Sequence, residues 1–242
     1  PNGESVKAGY WGTANGTCDL PQHTFWGFLD FAKSLNPDYV FWLGDNENHE
    51  VDTIEFPTNV QTTSLIAKAM SDTFDKKKVF LAIGNHEQFP IDNINFDDPL
   101  QTEFFFHNLV GAYKPLLNRD ELTQMHKSGY YTSLVKERNL RVISVYSAPF
   151  DSLNFFLLVS TYDPDGAIQW LWDTLKAAEK NREDVMIIMH IPMGNDFSIS
   201  LWCDLFNALV DRYQNSIKGI FSAHTHWDHL IFHRSRNDNN KV

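Results

Sequence analysis

Cysteine is nearly absent: Cys18 and Cys203 are the two in 242 residues. One pair cannot build a disulfide framework, and it leaves the redox compartment undecided. Basic charge is also short. Twenty Lys and Arg stand against 31 Asp and Glu, a formal charge of −11, without the basic stripe of a protein that binds a nucleic-acid scaffold. An anionic substrate remains open, because bound metal ions reverse the local field of an acidic protein. No apolar run approaches a transmembrane length; the richest, Val185 to Met193, is interrupted by His190 and Pro192. There is no internal repeat, no low-complexity tract, no Pro/Gly/Ser linker and no signal-peptide pattern, and the start at Pro1 suggests a processed or excised product. What is present, 43% hydrophobic residues over this length, suffices for one domain with a substantial core.

Along the chain, residues 1–21 read as an irregular surface segment holding one glycosylation acceptor, Asn15-Gly16-Thr17. From Pro21, the apolar residues Phe25, Phe28, Leu29, Ala32 and Leu35 share a helical face that Asn36-Pro37 ends. A strand over Asp38–Leu43, a polar loop over 46–57, a helix over Thr58–Phe74 and a strand over Val79–Ile83 follow. Two short helices are expected near 101–110 and 119–127, then a hairpin of strands near 129–135 and 140–146 joined across Glu137-Arg138-Asn139. Asp163-Pro164 has the form of an N-cap with proline at the first helical position. Behind it Ile168, Leu171, Trp172, Leu175 and Ala178 line one face. A strand over Val185–Met189, a helix over 200–213 and a strand over 217–221 complete an α/β alternation with both sheet faces covered.

The strands end in unusual company. Val79 to Ile83 runs into Gly84-Asn85-His86-Glu87, and Tyr39 to Leu43 into Gly44-Asp45. Val185 to Met189 meets His190, and Ile217 to Phe221 leads to His224-Thr225-His226. Apolar residues anchor a strand, glycine permits a tight exit, and ligand-type side chains come next. Asp45, Asn85, His190, His224 and His226 offer carboxylate, amide-oxygen and imidazole donors without a thiolate, which suits Zn, Mn or Fe at a hydrolytic site better than a structural zinc. One bridging aspartate with several histidines suits a two-metal centre.

The ordered motifs resemble the calcineurin-like metallophosphoesterases, and more narrowly the acid sphingomyelinase family. Gly9-Tyr10-Trp11-Gly12, Cys18-Asp19-Leu20-Pro21, Asp45 followed by His49, Asp163-Pro164 and His190-Ile191-Pro192 carry the narrower likeness. It covers nearly the whole chain from Gly9 to about His233. The resemblance implies a two-sheet β-sandwich flanked by helices, layered α/β/β/α, and two zinc ions. Asp45 would bridge them, with Asn85, His190 and His224 on one ion and His226 on the other. His49 and His86 resemble the family's non-ligand histidines, which stabilise developing charge and protonate the leaving alkoxide. The implied reaction is attack of a metal-bound hydroxide on a phosphodiester, converting sphingomyelin to ceramide and phosphocholine. Secretion or lysosomal residence and peripheral contact with a lipid surface follow from the same resemblance.

The family's first motif, Asp-x-His, lies upstream of Gly-Tyr-Trp-Gly and does not occur in the residues before Gly9. The chain is therefore expected to be a partial domain, lacking that motif and the final strands. A cysteine pair of the family is missing, and Cys18 resembles a half-cystine whose partner would lie upstream. Three functions stay open: a sphingomyelinase, a nucleotide-preferring relative with the same motifs, or an inactive binding protein with an incomplete metal pair. A protein phosphatase shares Gly-Asn-His-Glu, but the rest of the chain resembles the lipid-active branch. Phe104-Phe105-Phe106 and Phe155-Phe156 are expected in the core rather than in a lipid-facing lip. Tyr10 and Trp11 border the substrate cleft or pack the N-terminal segment. His23, His107, His126, His229 and His233 are expected to be structural or exposed.

Overall fold

The computed structural model describes residues 9–13, 18–49, 55–159, 163, 166–194 and 197–235. The sequon at Asn15, and Pro164, lie outside them. In chain order the elements are α1 (Gln22–Ser34), β1 (Val40–Trp42), α2 (Phe56–Thr73), β2 (Val79–Leu81), α3 (Pro99–Val110) and α4 (Arg119–Ser128). They continue as β3 (Tyr131–Val135), β4 (Leu140–Val145), α5 (Ala167–Lys180), β5 (Asp184–Met189), α6 (Ser200–Tyr213) and β6 (Ile217–Phe221).

Strands β1 and β2 pair in parallel, and a second sheet runs β3-β4-β5-β6. Among the described strands, β3 and β4 pair antiparallel and the other neighbours pair in parallel. Its turn is a short 3₁₀ segment over Lys136–Arg138 closed by Asn139 in the left-handed region, φ 49°, a conformation asparagine tolerates better than most residues. The two sheets meet through a cluster of Phe80, Ala82, Val142 and Ile188, with Phe41 and Leu43 against it. Polar side chains complete the join. The Leu81 amide donates to the Tyr131 hydroxyl at 3.0 Å, and Ser144 Oγ donates to the Leu81 carbonyl at 2.8 Å. The edge of the shorter sheet thereby keeps its buried backbone groups paired.

Helix ends follow local chemistry. Asn118 and Glu121 form a capping box at α4, and Gly129 ends it at φ 76°. Asp98 caps α3 ahead of Pro99. At α5 the expectation needs correction. Asp163 does cap, its carboxylate accepting the Ile168 and Gln169 amides at 2.9 and 3.0 Å, but the N-cap residue is Gly166 at φ 67°.

Several apolar stripes are narrower than expected. In α1 Leu29 is buried with Phe25 and Ala32 against it, whereas Phe28 and Leu35 are exposed on the flank. Trp172 of α5 is likewise half exposed, because Ala167, Leu171, Leu175 and Ala178 form the buried face. Phe105 and Phe106 enter the core beside Tyr146, but Phe104 does not. Nor do Phe155 (66% exposed) and Phe156 (36%), whose 3₁₀ turn, capped by Asn154, directs them outward. β1 and β2 stop short of their expected ends at the glycines that follow. The last bond of the pair runs from the Ala82 amide to the Trp42 carbonyl at 2.8 Å.

Candidate metal centre

Two loops leave β1 and β2 side by side, and glycines let them touch. Gly44 has φ 88° and Asp45 φ 61°. A Cβ at Gly44 would strike the backbone of Gly84, and one at Gly84 would strike Asp45. Glu87 then ties the loops together. Its fully buried carboxylate accepts the amides of Gly84 (2.5 Å), Asp45 (3.0 Å) and Asn46 (2.6 Å). Burial, followed by the nearby Asp45 charge, pushes the Glu87 carboxyl up to about 7 against the pull of those amides. The Asp45 carboxylate is itself aimed, accepting the His86 amide at 3.1 Å through Oδ1.

His190 at the end of β5 faces this pair of loops. Its Nδ1 lies 2.6 Å from the Leu43 carbonyl, which can only accept, so Nδ1 carries a proton and Nε2 turns inward. Nε2 stands 2.9 Å from Asp45 Oδ2 and 3.3 Å from His224 Nδ1. Burial alone would lower the His190 pKa, but the Asp45 carboxylate outweighs it and raises the pKa; the same contact holds Asp45 down. His224, after β6, has φ 69° and points Nδ1 at Asn85 Oδ1, 3.0 Å away. Burial first and the neighbouring His190 second lower its pKa to about 4, so the ring is neutral at pH 7. Asn85 in turn donates Nδ2 to Asp92 Oδ1 at 2.7 Å.

Donor atoms of Asp45, His190 and His224 all lie within 4.8 Å of one another, and the Asn85 oxygen adjoins them. This donor set fits one divalent ion. The carboxylate is fixed, one imidazole is oriented by a backbone carbonyl as metal-ligating histidines generally are, and the other is unprotonated. His226 (φ 55°) stands apart from this group. Its ring centroid is 5.3 Å from that of His49, which is 4.7 Å from His86. His49 and His226, with Asp45, line a cavity of about 580 Å³ whose wall also includes Trp42, Leu20, Phe25, Leu65 and Met70. Of the ligands expected on a second ion, Asp45 and His226 line that cavity together.

His49 and His86 share one arrangement. His86 Nδ1 faces the Asn48 carbonyl at 3.2 Å, and the His86 carbonyl is held by Asn59 at 2.5 Å. His49 Nδ1 meets Asp19 Oδ1 at 2.6 Å, while the His49 amide donates to Asp19 Oδ2 at 3.2 Å. Each ring is oriented through Nδ1 and leaves Nε2 for proton exchange. Glu87, Asp19 and Asp92 carry parts of this arrangement that the motifs alone did not assign. Glu87 and Asp19 sat in motifs already singled out, whereas Asp92 carried no signal. Of the remaining aromatics, Tyr10 and Trp11 are exposed and pack around His23, Tyr10 stacking on it at 3.7 Å. Cys203 is a buried free thiol.

A family model described as calcineurin-like phosphoesterase matches residues 21–228. The chain is 32% identical to sphingomyelin phosphodiesterase B of Dictyostelium discoideum, over 99% of this chain and 38% of that protein. It is 33% identical to human sphingomyelin phosphodiesterase, over 94% of this chain and 36% of that one. Against cyclic GMP-AMP phosphodiesterase SMPDL3A of Bos taurus the identity is 31%, covering 88% and 49%. The chain thus spans about a third to a half of the length of these curated relatives.

Proposed function

Because the chain belongs to the calcineurin-like phosphoesterases, we propose that it carries the hydrolytic centre of a zinc-dependent phosphodiesterase that cleaves sphingomyelin to ceramide and phosphocholine. The observation that carries this reading is the convergence of Asp45, His190 and His224 with the Asn85 oxygen, beside two histidines oriented through Nδ1. When bound, zinc would neutralise phosphoryl charge and acidify a water. Asp45, Asn85, His190 and His224 would hold one ion, and Asp45 with His226 would contribute to a second.

The protein's own residues supply the rest. Water adds to phosphorus and gives up a proton as the P–O bond to ceramide breaks, and the departing alkoxide takes a proton up. An imidazolium at His49 or His86 can give it from Nε2 while keeping its Nδ1 proton on Asp19 or the Asn48 carbonyl. Asp19 fixes the plane of the His49 ring, the orienting task a carboxylate performs for histidine in hydrolytic triads.

Two features support a lipid substrate. Relatives at similar identity are named sphingomyelin phosphodiesterases. Phe155, Leu158 and Val159 are strongly exposed, and the Phe155 amide is tied to Asn93, beside the Asp92 that holds Asn85. They form an apolar lip suited to peripheral contact with a bilayer. A second reading, a nucleotide-type phosphodiester substrate, rests on the relative named for cyclic GMP-AMP. Turnover of sphingomyelin vesicles and of cyclic GMP-AMP, measured side by side on zinc-loaded protein, separates them. His190→Ala should lose a metal ligand and most activity. Wild-type turnover and zinc content in that variant would refute the assignment. Residence in a secreted or lysosomal compartment belongs to the same proposal, supported by the resemblance and the Asn15 sequon.

A further inference from the structure

Asn85 presents a chemical ambiguity that its neighbours resolve. A side-chain amide has a carbonyl on one side and an NH₂ on the other, nearly equal in shape, and only the carbonyl can ligate a cation. Asn85 is buried at 3% exposure, so a wrongly turned amide would aim two protons at the ion. Asp92 removes the choice. A carboxylate is acceptor-only, and its Oδ1 lies 2.7 Å from Asn85 Nδ2, which places the amide oxygen 3.0 Å from His224 Nδ1.

The Asp92 backbone is held for the purpose. It sits at φ 62°, a left-handed conformation that few side chains adopt readily. The loop around it is pinned on both sides. Buried Asn154 donates to the Ile94 carbonyl at 3.1 Å, Asn93 Oδ1 accepts the Phe155 amide at 3.1 Å, and Asn93 Nδ2 donates to the Ile91 carbonyl at 3.3 Å. Such pinning is what sustains a sparsely populated backbone conformation.

We propose that Asp92 is a positioning residue for the metal centre, locking the Asn85 amide with its oxygen toward the ion and polarising that oxygen through the NH₂. The proposal rests on the metal-site reading given above. Loss of a partner that orients a ligand typically weakens metal affinity by about 10–100-fold.

The test measures zinc affinity by competition with a chelator, alongside the melting temperature of the metal-free protein. Asp92→Gly suits it, because glycine accepts φ 62° without strain and removes only the carboxylate. It should bind zinc about 10–100-fold more weakly with little change in the metal-free melt. Asn85→Asp sets a second carboxylate against Asp92 and should also weaken binding. The double variant Asn85→Asp/Asp92→Asn restores a donor–acceptor pair in the reverse sense and should recover about tenfold or more over Asn85→Asp alone. Zinc binding by Asp92→Gly at wild-type strength, or no recovery in the double variant, would overturn the role of Asp92. Wild-type protein that binds no divalent ion would instead overturn the metal site itself, and this role with it.

Discussion

Removing the Glu87 carboxylate should unfasten the two loops that carry Asp45 and Asn85. Glu87→Ala strands three amide donors, those of Gly84, Asp45 and Asn46, that accepted bonds of 2.5–3.0 Å now satisfy. Above pH 7, where this carboxyl is ionised, a hydrogen bond to it contributes about 1.5–3 kcal/mol. Three would sum to roughly 5–9 kcal/mol, but burying the carboxylate costs several kcal/mol in the native protein, and that cost disappears with it. The balance is a loss of about 3–5 kcal/mol, or roughly 6–20 °C in Tm for a chain of this size. Glu87→Gln should fall about midway, since its NH₂ must face one of the same amides while its oxygen still serves the others. Thermal unfolding of chelator-treated protein is the right assay, because it separates the fastening from any contribution of bound metal. A metal-free Glu87→Ala melt within about 2 °C of wild type would show that the carboxylate does not hold the loops.

Three further substitutions probe other parts of the same architecture. Asp151 is fully buried with Oδ2 unpartnered, and burial, reinforced by Asp92 and Asp45, pushes its carboxyl up to about 6. The folded protein therefore binds its proton more tightly than the unfolded chain, so this group's stabilisation is complete below about pH 4 and is lost as pH rises through 6. Asp151→Asn should accordingly raise stability at pH 8 by about 1–3 kcal/mol and change little at pH 4; urea unfolding that gives the same difference at both pH values would count against it. Gly44→Ala forces a side chain into the Gly84 backbone at φ 88° and should cost about 3 kcal/mol or more. Gly111→Ala, at φ −55° with open space around it, should be neutral or gain up to about 1 kcal/mol. Thermal melts of the two compared with wild type check the contrast, and a stable Gly44→Ala would contradict the close crossing of the loops.

The order of helices and strands was legible in the sequence because it rests on local causes. Periodicity marked the helices, β-branched runs the strands, and Asn139 the hairpin turn. The strand-end motifs that hold Asp45, Asn85, His190 and His224 were legible for the same reason. Amphipathic width was not: Phe28, Trp172 and Phe155 look like core residues in a one-dimensional pattern, and only the packing of neighbouring elements determines how much of a helix or turn is covered. Nor could the sequence assign the groups that make ligands usable. His190 takes its tautomer from the Leu43 carbonyl, 147 residues away in the chain. Glu87 binds amides 41 and 42 residues distant, and Asp19 reaches His49 across 30. Such contacts carry no local signal, because they exist only after the sheets have brought the loops together. Sequence chose the side chains that can bind a metal; the fold selects which of their atoms face it.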